Sequence, residues 1–335
     1  MKIAIHHAKT GFSEGWIEYC KQHHIAYKLV NCYSSSIISD VDDCQAIMWH
    51  HSHSRGEDIL IARQVLSALE HKGLKVFPNF RTAWYFDDKL GQKYLFEALN
   101  LQHAKVYVFV KKEEALRWTE TTSWPKVFKL RGGAGSSNVS LVKSKASAQK
   151  LIHRAFGRGF RNYDAWNNLT ERVRKYREGN ATLQDIVKGI ARMLVPPEFA
   201  RVKGKERGYV YFQDFVPGND HDIRVVVIKN KAFAIKRLAR SHDFRASGSG
   251  QILFEKKHFN ADTIKTAFQI NNAIGSQCLV LDFVHQGHIP YLIEISYGFS
   301  AAPYHRCEGY WDSSLNWHPG KFDFLGWMVE STIGE

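Results

Sequence analysis

Short apolar runs and stretches of helical period alternate along the first quarter of the chain. Lys2–Ile5, Ala46–Trp49 and Lys75–Pro78 are apolar, β-rich and read as strands. Between them, Phe12–Gln22 and Glu57–His71 read as helices; in the second, Ile59, Ile61, Val65 and Leu69 fall near helical spacing. This alternation predicts a small parallel α/β domain over residues 1–84. Further on, helices are expected at Asp87–Leu99, which Asp87 or Asp88 can cap, at Lys112–Trp118 and at Ala146–Phe156. Strands are expected at Val106–Val110, Lys126–Leu130 and Val139–Val142. Residues 160–207 read as mostly helical. Tyr209–Phe215, Ile223–Ile228 and Ala232–Arg237 then follow as strands in close succession, and Asp262–Ile274 as a helix. No internal repeat or low-complexity tract interrupts the series.

Two runs near the C-terminus break their own apolar pattern. Leu279–Phe283 carries Asp282, and Tyr291–Ser296 carries Glu294, with only a short turn containing Gly287 and Pro290 between them. Paired as a hairpin, the two runs would put both carboxylates on one shared face. A carboxylate at a core position must be ion-paired or bind a metal, because an isolated buried charge is too costly. Two hard oxygen donors on rigid strands suit magnesium, and magnesium in turn suggests nucleotide phosphates. The other reading is a pair of carboxylates bridged to some of the many Arg and Lys.

Composition narrows the classes. The chain has 335 residues, 44% of them hydrophobic, enough for one large domain or two to three subdomains. Five cysteines without a CxxC pair fit a reducing cytosol better than a disulfide framework, which points to a cytoplasmic protein. The N-terminal apolar run breaks within a few residues and reads as a first strand, not a signal peptide. No apolar stretch approaches the length of a membrane span. The net charge of +13 is concentrated: residues 151–207 hold 13 Lys/Arg against six Asp/Glu. Such a stretch is a solvated basic face, or it attracts an anionic lipid surface, an anionic polymer or nucleic acid. No nucleic-acid motif accompanies it.

Three further segments could carry chemistry. Lys129 ends a strand and precedes Arg131-Gly132-Gly133-Ala134-Gly135-Ser136-Ser137. Backbone N–H groups of such a loop can close around phosphate oxygens, with the lysine neutralising charge. It is not a Walker A loop, and a plain hairpin loop has the same composition. No GxGxxG follows the first strand, which argues against a dinucleotide site. Gln213-Asp214-Phe215-Val216 runs into Pro217-Gly218, an edge whose main chain can read adenine. Asp222 is spaced to accept from ribose hydroxyls; otherwise it forms a surface pair with Arg224, worth little. Lys236-Arg237 and Phe244-Arg245 offer cations for phosphate and for charge developing on an acyl group.

The order of these features resembles the ATP-grasp superfamily, most closely its RimK-like and glutathione-synthetase-like carboxylate–amine ligases, over roughly residues 78–300. Its most specific parts are Asp222–Arg245 and the pair Asp282…Glu294. The resemblance implies a mixed α/β ATP-grasp fold. A small parallel α/β domain spans 1–84, a lid subdomain 85–212 with a basic, mostly helical insertion at 158–207, and a C-terminal subdomain 213–335. It implies ATP and Mg2+ as cofactors. Lys89 and Lys129 would contact the α- and β-phosphates, with Gly133, Gly135 and Ser136 in the covering loop. Gln213, Asp214, Phe215 and Val216 would form the adenine hinge, and Asp222 would bind ribose. Arg237 would bind phosphate, Arg245 would stabilise the acyl phosphate and tetrahedral intermediate, and Asp282 and Glu294 would hold magnesium. The family's usual third metal position is Asn; here it is Ser296, a weaker ligand.

The implied activity is amide formation through an acyl phosphate, releasing ADP and phosphate. An anionic substrate suits the basic chain: an acidic peptide, an amino acid, or a uronic-acid sugar of a surface polysaccharide, together with an amine. Tyr297, Tyr304, His305, Arg306 and Trp311, and the polar run His50-His51-Ser52-His53 with Arg55, are the candidates for the acceptor. Adjacent histidines on a strand point to opposite faces, which argues against a metal site there. A kinase or phosphotransferase, a non-catalytic nucleotide-binding regulator and a homodimer all remain compatible with the sequence. A nucleic-acid-binding protein would explain the charge but not the ordered motifs; no specific nucleic-acid partner and no membrane span are expected.

Overall fold

The computed structural model describes residues 1–132, 138–163, 165–177, 182–240 and 243–334. Residues 1–105 form strands β1 Lys2–His6, β2 Ala26–Val30, β3 Ala46–Met48 and β4 Lys75–Phe77. They also form helices α1 Ser13–Gln22, α2 Ile37–Asp40, α3 Gly56–His71, α4 Phe80–Ala83 and α5 Lys89–Ala98. The four strands pair in parallel, in the order β2-β1-β3-β4. The predicted parallel α/β layer is therefore present, with β2 as a further strand; it is short and none of its residues is buried, though four of the five are apolar. Asp88 caps α5, accepting from the Gly91 N–H.

The middle of the chain forms β5 Val106–Phe109, α6 Lys112–Thr121, β6 Lys126–Lys129, β7 Val139–Val142, α7 Lys145–Ala155 and β8 Phe160–Arg161. It continues as α8 Ala165–Arg177, α9 Leu183–Leu194, α10 Glu198–Lys203, β9 Lys205–Glu206 and β10 Val210–Asp214. An antiparallel sheet runs β5-β10-β6-β7. The helices of the basic stretch are bracketed by the two-stranded pair β8-β9, which makes that stretch an excursion leaving and re-entering at one place.

The rest of the chain forms β11 His221–Ile228, β12 Lys231–Leu238, β13 Ile252–Leu253, α11 Ala261–Ile274, β14 Cys278–Gln286, β15 Ile289–Ser296, β16 Gly309–Asp312, β17 Trp317–Pro319 and α12 Phe324–Ile333. Their sheet runs β15-β14-β11-β12-β16-β17, with β13 beside β12. Its central strands are apolar on both faces because both faces are covered. Ile223, Val225, Val227, Leu279 and Leu281 pack with Ile264, Phe268 and Ile270 of α11. On the opposite face Val226, Ile228, Phe233, Ile235 and Val280 pack with Phe324 and Val329 of α12 and with Trp16 and Phe77.

The chain divides into two compact units: residues 1–52, 61–105 and 216–335 make one, and residues 53–60 and 106–215 the other. The expected segment 1–84 thus shares a unit with the C-terminal sheet, apart from the short piece 53–60. Among the described residues no helix is long and apolar enough to cross a membrane. All five cysteines are buried and none is in a disulfide.

Candidate active site

The face of the large sheet that carries Val226, Ile228, Phe233, Ile235 and Val280 does not stay apolar. Two residues along each strand it turns ionic. Asp222 and Arg224 lie on β11 at alternate positions; Asp222 stands opposite Arg237 of β12, and Arg224 opposite Asp282 of β14. Asp282 in turn stands opposite Glu294 of β15. Partners in an antiparallel ladder share a face, so five charged side chains form one row across four strands. The β14–β15 register skips Ile293 between Glu294 and Leu292, a bulge. That extra residue restores the alternation, so Glu294 joins the charged face while Leu292 and Ile295 pack with the core beneath α11.

The row is tightly bonded. Arg224 donates Nε to Asp282 Oδ1 at 2.6 Å and Nη2 to Oδ2 at 2.7 Å. Arg237 donates Nε to Asp222 Oδ1 at 2.7 Å and Nη2 to Oδ2 at 2.6 Å, and the same Nη2 reaches Asp282 Oδ2 at 2.8 Å. Asp222 is therefore part of a buried guanidinium fork with Arg237, and the alternative surface pair with Arg224 does not form. Burial raises the Asp282 carboxyl, but Arg224 and Arg237 outweigh it and hold Asp282 well below the usual carboxylate range. Asp222 goes the other way, because burial and the neighbouring Asp282 charge outweigh Arg237 and the more distant Arg224.

Lys89, at the first turn of α5, meets Glu294 Oε1 at 2.9 Å; its side chain is 5% exposed and that of Glu294 35%. Burial works to lower the Lys89 pKa, but Glu294, with Asp87 and Asp282, outweighs it and the ammonium is raised. What holds α5 against β15 is Gln92, which sequence reading missed. Its side-chain amide donates to the Ile295 carbonyl at 2.8 Å and accepts from the Ile295 N–H at 3.3 Å. A buried amide that completes a strand edge fixes the helix one turn from Lys89. Only its place on the buried side of α5 could have signalled this.

Ser296 ends β15. Its hydroxyl donates to the Gly298 carbonyl at 2.9 Å and accepts from the Gly298 N–H at 3.1 Å. One lone pair is left for a metal. Glu294, the more open of the two opposed carboxylates, and the Ser296 hydroxyl two residues on are oxygens that could hold a metal, while both Asp282 oxygens are taken up by Arg224 and Arg237. Among the described residues no group of three or more His, Cys, Asp or Glu could hold a metal ion. Ser296→Ala is expected to lower stability by about 1 kcal/mol, the worth of a hydrogen bond lost at a turn. Ser296→Asn should cost less than half of that, since an Asn oxygen can accept the same bond. Urea unfolding of the two variants would check this; equal losses would mean the turn bond is not what matters.

Arg245 bonds Asp243, with Nε at 2.8 and 2.9 Å from its two oxygens. It is not in the charged row. Val216 begins a loop that Asn219 ties to β14: its Nδ2 reaches the Val216 and His285 carbonyls at 3.2 and 3.0 Å, and its Oδ1 accepts from the His285 N–H at 2.8 Å. In the other compact unit, Gln213 and Lys129 are buried on β10 and β6. Asp214 is held at 2.5 Å by Lys126, a second lysine of β6 that the sequence reading passed over. Phe215 follows β10. Gly133, Gly135 and Ser136 lie outside the described residues.

The acceptor candidates divide. Tyr297 is core, and its hydroxyl donates to the His51 carbonyl at 2.6 Å. Trp311 packs on Trp317 and Phe259. His50 stacks on Phe12 with ring centroids 3.7 Å apart, and His51 is buried beside Tyr297 and Phe86. Both rings therefore pack against aromatic neighbours. His305 and Arg306 are exposed. Tyr304 is buried, with no hydrogen-bond partner for its hydroxyl among the described residues. Burial pushes that hydroxyl up to about 12, in the field of Arg224, Arg237 and Asp282.

No family model matches the sequence, and no curated protein matches it. Solved structures do. A RimK domain ATP-grasp protein from Sphaerobacter thermophilus aligns over 99% of this chain and 99% of its own, at 14% identity and TM-score 0.59. D-alanine–D-alanine ligase from Bacillus anthracis aligns over 100% and 98%, at 15% identity and TM-score 0.53. The biotin carboxylase domain of 2-oxoglutarate carboxylase from Hydrogenobacter thermophilus, solved with MgADP and bicarbonate, aligns over 100% and 70%, at 12% identity and TM-score 0.59. With the parallel N-terminal sheet and the antiparallel sheets already described, these likenesses make the chain an ATP-grasp fold.

Proposed function

We propose that the protein is an ATP-dependent carboxylate–amine ligase. The observation that carries this reading is the row of Asp222, Arg224, Arg237, Asp282 and Glu294 on one sheet face, met at Glu294 by Lys89 of α5. Glu294 and Asp282, with Ser296 as a weak third donor, would hold magnesium, which would supply positive charge against phosphate oxygens. Lys89 would exchange part of its pairing with Glu294 for a phosphate oxygen. Arg237 would face phosphate while still paired with Asp222. Lys129 would contact phosphate, Gln213, Asp214, Phe215 and Val216 adenine, and Asp222 ribose. Arg245 would stabilise the acyl phosphate. The protein needs no covalent nucleophile; its contribution is positioning and charge stabilisation.

The substrate carboxylate attacks the γ-phosphorus, ADP leaves, an amine displaces phosphate and an amide forms. The excess of positive charge favours an anionic acceptor, such as an acidic peptide, an amino acid or a uronic-acid sugar. ATP with magnesium is expected to raise the melting temperature. At about 100 times the dissociation constant the gain should be about 2.7 kcal/mol. No rise with ATP plus magnesium would end the assignment. ADP release that needs no amine would replace it with a phosphotransferase.

A further inference from the structure

Helix α9 turns the wrong side outward for a soluble protein. Leu183, Val187 and Ile190 follow one another at helical spacing and are 62%, 60% and 52% exposed; Met193 in the last turn and Val195 just past the helix are exposed too. The side of α9 that packs on α8 carries Asp185 and Gly189. Gly189 is buried, close enough to Leu169 and Arg172 of α8 that a Cβ there would meet them within 3.0 Å. Arg172 also donates to the Asp185 carbonyl at 3.1 Å. The capping box of Thr182 and Asp185 fixes where this helix starts, so the outward stripe is set by the helix register. Nothing in such a helix is stabilised by exposing that row to water.

The surroundings of the stripe are cationic. Lys188 and Arg192 are exposed on the polar side of α9 itself, and Arg201, Lys205 and Arg207 are exposed just beyond it. Trp166 of α8 is exposed as well. Apolar residues on one side, Lys and Arg on the other and an aromatic nearby are the features of a helix that lies in the plane of a membrane surface. We propose that α9, supported by α8, seats this protein peripherally on an anionic phospholipid surface, the apolar row entering the acyl boundary and the basic residues meeting headgroup phosphates. A self-contact of two copies would bring the same basic rims together, like charge against like charge. The inference does not depend on the ligase reading, and it would keep such an enzyme beside membrane-borne acceptors.

The test is flotation of the full chain with vesicles of phosphatidylcholine alone, and of phosphatidylcholine with roughly one third phosphatidylglycerol. Binding is expected to the anionic vesicles and to be near background on the neutral ones. Val187→Ser with Ile190→Ser should weaken it at least about tenfold, and Lys188→Gln with Arg192→Gln should weaken it and flatten its salt dependence. Nucleotide-induced thermal shifts should be unchanged in both variants. Three results would overturn the proposal: no binding to anionic vesicles, binding that the serine variant leaves intact, or a wild-type dimer that the serine variant dissociates. The second would mean loose attraction of a basic protein, the third a partner of its own kind.

Discussion

Arg224→Met is expected to lower the free energy of unfolding by about 3 kcal/mol, the low end for breaking a buried ion pair. Asp282 would lose both bonds of its fork, at 2.6 and 2.7 Å, and keep only the single contact from Arg237 at 2.8 Å. The low end applies because about a quarter of the Arg224 side chain (26%) reaches solvent, while Asp282 has only 8% exposed. Adding Asp282→Leu removes the stranded charge, and the double variant should recover most of the loss, since apolar replacements of both partners are often near neutral. Urea unfolding of the four forms gives the coupling. Losses that simply add would show that the pair is not an energetic unit. The pH dependence follows the same group. Asp282 titrates below its ordinary value in the folded state, so its contribution is fully present above the unfolded value of about 3.9 and is lost as pH falls from there toward the folded value. The gap between wild type and Arg224→Met should therefore be constant near neutrality and narrow below about pH 4.

Much of this architecture was legible because it is local. Alternating apolar runs mark β1, β3 and β4, Asp88 announces α5, and two carboxylates inside apolar runs announce their own pairing. What the sequence could not show is which cation each carboxylate meets. Asp222 is two residues from Arg224, yet it bonds Arg237 fifteen positions away, because the ladder and not the chain sets the neighbour. Gln92 was invisible for the same reason: it serves a strand edge 203 residues later. Tyr297 and His51 are acceptor candidates by their place in the sequence, yet both are buried with their rings 5.0 Å apart, and the Tyr297 hydroxyl donates to the His51 carbonyl. The basic stretch was legible as charge. Its outward apolar row was not, since a helical stripe ordinarily faces a core.

Glu294→Gln is expected to reduce ATP turnover by about a thousandfold, the scale of removing one preorganised charge from a phosphoryl-transfer site. The same change should weaken the magnesium-dependent part of ATP affinity at least about tenfold. An amide keeps an oxygen for Lys89, which now sits 2.9 Å from Oε1, but carries no charge for it or for a metal. Because the Lys89 ammonium is buried, the variant should also lose about 1 kcal/mol of stability. Lys89→Met in the Glu294→Gln background should return that stability without returning magnesium dependence, which separates the two roles of the carboxylate. ATP affinity measured by calorimetry with and without magnesium decides the case. If magnesium strengthens ATP binding equally in wild type and Glu294→Gln, the carboxylate only neutralises Lys89, and the metal-type reading of the Asp282–Glu294 pair fails even if the fold holds nucleotide.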